Sequence, residues 1–137
     1  MELTYTHNEL PEVARKVIEM ADSKTYLFYG EMGVGKTTLI TEITKQLGLQ
    51  YPASSPTFSI VNEYELENES IYHFDFYRIN SVEEAYDFGI EDYLSSNNIL
   101  LIEWPEKIGD LITNDYNHIT IKKNKNGSRT LNLTPVR

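Results

Sequence analysis

The chain has 137 residues, a mass of 15.9 kDa and a formal net charge of −9, from 12 Lys and Arg against 21 Asp and Glu. That length suits one domain over residues 1–137, and 40% hydrophobic with 24% charged residues is an ordinary globular balance, which excludes a disordered chain. The acidity argues against a stand-alone nucleic-acid binder. The absence of cysteine excludes disulfides and thiolate chemistry, and no apolar run approaches a membrane span.

From the N-terminus, Met1-Glu2-Leu3-Thr4-Tyr5 has no basic-then-apolar pattern, so no signal peptide is expected, and the chain reads as cytoplasmic with no membrane association. Thr6-x-x-Glu9 has the form of a capping box. Leu10, Val13, Ala14, Val17, Ile18 and Ala21 follow at the helical period, predicting a helix over 8–22. Tyr26-Leu27-Phe28-Tyr29 predicts a buried parallel strand ending at Gly30. Leu39, Ile40, Ile43 and Leu47 predict a second helix closed by Gly48. Strands are expected over 59–66 and 70–79, then a short helix from Ser81-x-x-Glu84 to near Gly89. Ile99-Leu100-Leu101-Ile102 predicts a second buried strand, and Pro105 suits the first turn of a helix. Asn126-Gly127, between Ile119/Ile121 and Leu131/Leu133, predicts a hairpin with a type I′ turn. The fold expected is α/β, a mixed sheet with parallel central strands and antiparallel additions.

Gly30-Glu31-Met32-Gly33-Val34-Gly35-Lys36-Thr37 satisfies G-x-x-x-x-G-K-[ST], between a buried strand and an amphipathic helix. Glycines there let backbone N–H groups point at phosphate oxygens, and the helix N-terminus favours the anion. Lys36 reaches the phosphates and the Thr37 hydroxyl ligates Mg²⁺. The candidate nucleotide contacts run from Gly30 to Thr38. A P-loop also needs an acid on a neighbouring strand. Glu103, after four apolar residues, and Asp75, after Ile71-Tyr72-His73-Phe74, both qualify, and their roles on metal or water stay open.

The string nearest to the guanine-reading Asn-Lys-x-Asp is Asn124-Lys125-Asn126-Gly127, which lacks the acid, so ATP is favoured. A small-molecule kinase would need an Arg-rich lid, whereas the chain has four Arg. Arg15 lies in the first helix, Arg129 and Arg137 fall at the far end, and Arg78 is the one expected near the site. His73 and Tyr77 read as structural. Ten acids and one base lie between Glu63 and Asp92, whereas five bases and no acid follow Asp115. That polarity suits either solvated faces or an oriented partner.

With Ser55-Pro56-Thr57-Phe58, His73-Phe74-Asp75-Phe76-Tyr77-Arg78 and Glu103-Trp104-Pro105 following the P-loop in order, the chain resembles the TsaE (YjeE) family. These are small P-loop ATPases of tRNA threonylcarbamoyladenosine (t6A) biosynthesis. The resemblance covers roughly residues 6–110. It implies a single-domain P-loop NTPase that hydrolyses ATP with Mg²⁺ and acts with TsaB and TsaD, touching tRNA only through that complex. It implies Lys36 on the phosphates, Thr37 and Glu103 near the metal, and Asp75 near the γ-phosphate. It also implies that Thr57 lies in a switch-like loop, with Trp104 lining the site or anchoring a partner. A small-molecule kinase and a non-hydrolysing nucleotide switch are the alternatives.

Overall fold

The computed structural model describes residues 1–53, 60–113 and 115–137. In chain order it has β1 (Glu2–Tyr5), a 3₁₀ turn (His7–Glu9), α1 (Leu10–Met20), β2 (Thr25–Tyr29), α2 (Lys36–Leu47), β3 (Val61–Glu65) and β4 (Ser70–Asp75). These are followed by α3 (Val82–Asp87), α4 (Ile90–Ser95), β5 (Ile99–Glu103), a 3₁₀ segment (Pro105–Leu111), β6 (Tyr116–Lys123) and β7 (Arg129–Val136). The strands form one sheet in the order β1-β7-β6-β2-β5-β4-β3. β2 lies between β5 and β6 and runs parallel to both, and β4 is parallel to β5. β3, β7 and β1 are added antiparallel, so the mixed sheet has the form expected of the sequence.

Strand alternation builds two cores. Tyr26, Phe28, Ile99 and Leu101 face one layer, which α1 and α2 cover with Val13, Val17, Leu39, Ile40 and Ile43. Leu27, Leu100 and Ile102 face the other, packed with Phe74, Phe76, Ala85, Ile90 and Ile108. β5 is buried along its whole length, which explains its unbroken apolar run. The same alternation puts Ile71, His73 and Asp75 of β4 on the α2 side. Register pairs Asp75 with Glu103, so both acids end adjacent strands on the face where α2 begins.

Some boundaries differ from expectation. The first helix opens as a 3₁₀ turn, with the Glu9 carboxylate accepting the Thr6 N–H at 3.0 Å and Pro11 in the first α turn. β4 stops at Asp75 rather than 79, because the Asp75 carboxylate takes the Tyr77 N–H at 3.0 Å and turns the chain. β1 and α4 carry no strong sequence signal. β1 is held by pairing to β7, and α4 restarts directly after Gly89, whose φ of 86° breaks the helix. The β6–β7 turn is not type I′. The Gly127 N–H closes onto the Asn124 carbonyl at 3.0 Å, and left-handed backbone occurs at Gly127 (φ 89°) and not at Asn126. This matches a type I turn followed by a left-handed glycine, the usual longer hairpin connection.

Candidate phosphate-binding site

The loop between β2 and α2 is shaped by its glycines. A Cβ on Gly30 would lie 2.8 Å from both the Ile121 carbonyl oxygen and the Val34 Cγ1, so only glycine fits beside β6. Gly33 and Gly35 have φ of 79° and 109°, which side chains rarely adopt. The Val34 N–H closes the turn onto the Glu31 carbonyl at 3.2 Å. Val34 is buried, while Glu31, Met32, Gly33 and Thr38 are exposed around it. α2 then starts at Lys36, so its first N–H groups and dipole face the loop's concavity.

Lys36 is 5% exposed. Its ammonium donates to the Gly30 carbonyl and sits 3.8 Å from the centre of the Trp104 ring. Burial lowers its pKa, against the opposing pull of Glu103, Glu106 and Asp75. Trp104 holds that place with left-handed backbone (φ 56°), rare for a bulky residue, and the exposed Tyr77 ring packs on it at 5.0 Å.

Beneath Lys36 the side chains link across three elements. The Thr37 Oγ1 donates to Glu103 Oε1 at 2.9 Å, and Glu103 Oε2 meets His73 Nε2 at 2.7 Å. Glu103 is 3% and His73 1% exposed. His73 Nδ1 is buried with no partner among the described residues. Asp75 is half-buried beside Glu103, and burial raises its pKa, with the Tyr77 N–H working against that and Glu103 adding to it. Among the described residues no three His, Asp or Glu cluster as a metal cage. The donor set present, one hydroxyl and two carboxylates, is of the hard-oxygen kind that Mg²⁺ takes together with water and phosphate.

The structure thus brings together Gly30–Thr38, Asp75, Glu103 and Trp104. Ser55–Phe58, with the candidate Thr57, lies outside the described residues. Two residues belong here that sequence reasoning set aside. His73, read as structural, is bonded to Glu103; its position two before Asp75 on a strand was the available signal. Arg129, expected at the far end, reaches the P-loop instead, because β7 lies next to β6 and β6 next to β2. Its Nε donates to the Val34 carbonyl at 2.7 Å. A hollow of about 260 Å³ on this flank is lined by Tyr5, His7, Gly35, Thr38 and Arg129, and a larger cleft of about 580 Å³ separates Met32 and Gly33 from Thr120 and Lys122.

The family profile described as "Threonylcarbamoyl adenosine biosynthesis protein TsaE" matches residues 4–131. The tRNA threonylcarbamoyladenosine biosynthesis protein TsaE of Haemophilus influenzae is 40% identical over 96 residues, 69% of this chain and 61% of that protein. The aligned part is therefore less than two thirds of that relative's length. The TsaE protein of Rickettsia typhi is 39% identical over 108 residues, 78% of this chain and 74% of that protein. The crystal structure of Bacillus subtilis YdiB superposes with a TM-score of 0.77 at 24% identity, covering 100% of this chain and 86% of that one, and so shares the fold.

Proposed function

The chain belongs to the TsaE family, and on that footing we propose that it binds and hydrolyses ATP as an accessory protein of tRNA threonylcarbamoyladenosine synthesis, acting in the cytoplasm with TsaB and TsaD. The observation that carries the ATPase reading is the 2.9 Å link from Thr37, at the start of α2, to Glu103, at the end of the strand beside the P-loop strand. That pairing of a hydroxyl and an acid is what a P-loop uses to hold Mg²⁺ against phosphate.

In this reading the loop N–H groups and Lys36 hold the β- and γ-phosphates. Lys36 leaves the Gly30 carbonyl and the Trp104 ring to do so, and the phosphate charge offsets the burial that lowers its pKa. Mg²⁺ would be held through Thr37 and Glu103 with Asp75 alongside, and supplies neutralisation of phosphate charge. Glu103 is kept in orientation by His73. Asp75 Oδ1 is engaged by the Tyr77 N–H, which fixes the carboxylate at the strand end to orient water or metal. Thr57 is assigned to sensing the γ-phosphate.

Charge stabilisation at the γ-phosphate can be worth about 10³–10⁵ in rate when an arginine is supplied by a partner. Arg129 is engaged with the Val34 and Gly127 carbonyls. The proposal therefore expects slow turnover alone and faster turnover with TsaB and TsaD, whose tRNA contact this acidic chain does not share. The test is phosphate release with and without those proteins. Equal rates would count against partner activation, and ADP formation that depends on a small-molecule acceptor and yields its phosphorylated product in place of free phosphate would favour a kinase.

A further inference from the structure

The five bases after Asp115 have no role in the site as read from sequence, yet one of them is built into it. We propose that Arg129 is a positioning residue that sets the P-loop's phosphate-binding conformation from the β6–β7 hairpin; this rests on the nucleotide reading given above. The Arg129 guanidinium joins a carbonyl of its own hairpin to one of the P-loop, 95 residues from Arg129 in the chain. Nε donates to the Val34 carbonyl at 2.7 Å and Nη1 to the Gly127 carbonyl at 2.6 Å.

The Val34 carbonyl belongs to the peptide whose other end is the Gly35 N–H. A trans peptide points its C=O and N–H in opposite directions. Holding the carbonyl outward, toward the hairpin, therefore aims the Gly35 N–H into the concavity at the start of α2. With φ of 109°, Gly35 has the backbone freedom to turn that peptide over, so an external tether has something to decide. A Cβ on Gly35 would have the Arg129 Nε as its nearest neighbour, at 3.9 Å.

The tether starts from a stiff base. The Asn124 N–H donates to the Ser128 carbonyl at 2.8 Å, and the Asn124 amide donates to Ser128 Oγ at 2.9 Å and Thr130 Oγ1 at 3.0 Å. The Ser128 N–H and hydroxyl both donate to Asn126 Oδ1, at 3.0 and 2.7 Å. Such second-layer bonding fixes a residue that must hold another in place. A lysine cannot replace the fork, because one ammonium does not span both carbonyls in a fixed plane.

The experiment is calorimetric titration of the full chain with Mg·ADP for the parent, Arg129→Ala, Arg129→Lys and Lys36→Ala. Arg137→Ala, whose arginine pairs with Asp22 away from the site, serves as the charge control. Melting without nucleotide and steady-state ATP turnover accompany the titrations. The expected result is an affinity loss of about tenfold for Arg129→Ala, from one charge-assisted hydrogen bond to the loop. Arg129→Lys should fall with it, KM should rise with kcat within about twofold, and Arg137→Ala should bind as the parent does. Parent-like affinity in Arg129→Ala overturns the proposal, as does full recovery by Arg129→Lys, which would reduce the role to charge. If the parent itself binds no ADP, the nucleotide reading falls and this proposal with it. If the parent binds and Lys36→Ala does not, while Arg129→Ala is unaffected, this proposal falls alone.

Discussion

Replacing Glu103 separates its chemical role from its structural one. The carboxylate is buried and receives Thr37 Oγ1 at 2.9 Å and His73 Nε2 at 2.7 Å. Glu103→Ala leaves both without this partner, and His73 Nδ1 already has none among the described residues. Each buried group left unsatisfied costs about 1–3 kcal/mol. Removing a buried charge offsets part of this, leaving a net loss of about 2–4 kcal/mol. At about 3 °C per kcal/mol for a chain of this size, the melting temperature should fall by about 6–12 °C. Glu103→Gln behaves differently. Its carbonyl accepts from His73 Nε2–H and its amide donates to the Thr37 hydroxyl oxygen, with no change of ring tautomer, so the fold should hold within about 1 kcal/mol. The charge is gone, and ATP turnover should drop by at least about a hundredfold. Thermal melts and phosphate release on the two variants check this. Parent-like turnover in Glu103→Gln would exclude a role for the charge in turnover, and a parent-like melt in Glu103→Ala would exclude its structural role.

Trp104 is the chain's single tryptophan, so its fluorescence should change when ADP draws Lys36 off the ring, and Lys36→Ala should abolish that response; a titration with no change in the parent would contradict it. Asp75→Asn should raise the melting temperature of the nucleotide-free protein near neutral pH while impairing turnover. A folded-state pKa held above the ordinary aspartate value means that the ionised form costs stability above that pKa, and that the cost vanishes below the unfolded value. The variant's advantage should therefore shrink as pH falls through that window, and an advantage that grows in acid would have the wrong sign. Gly30→Ala forces a methyl group to within 2.8 Å of the Ile121 carbonyl, so it should cost about 1–3 kcal/mol in a denaturant melt and weaken ADP binding, whereas Gly33→Ala meets nothing within 4 Å and acts only through its backbone.

The parts of the fold that were legible in the sequence are those with local chemistry. β2, α2 and β5 announce themselves by apolar runs, helical spacing and the αL glycine at Gly48. The P-loop could be read residue by residue because each position answers to one local need. Asp75 and Glu103 were found as strand-end acids, but their adjacency is a matter of register between β4 and β5, which no local pattern states. The His73 bond to Glu103 is hidden for the same reason, since the two residues lie 30 positions apart. Arg129 was placed at the far end because sheet order, and not chain order, brings β7 toward the P-loop. β1 and α4 are short and take their stability from neighbours, and the Asn126-Gly127 pair signals a turn without fixing its type.

Calorimetric titration of Mg·ATP into the full chain, parent against Lys36→Ala, decides whether the loop from Gly30 to Thr38 is a nucleotide cradle. A cradle binds saturably at one site per chain in the parent and loses that binding in the variant, with both proteins melting as folded. No binding by the parent, or equal binding by the variant, would contradict it.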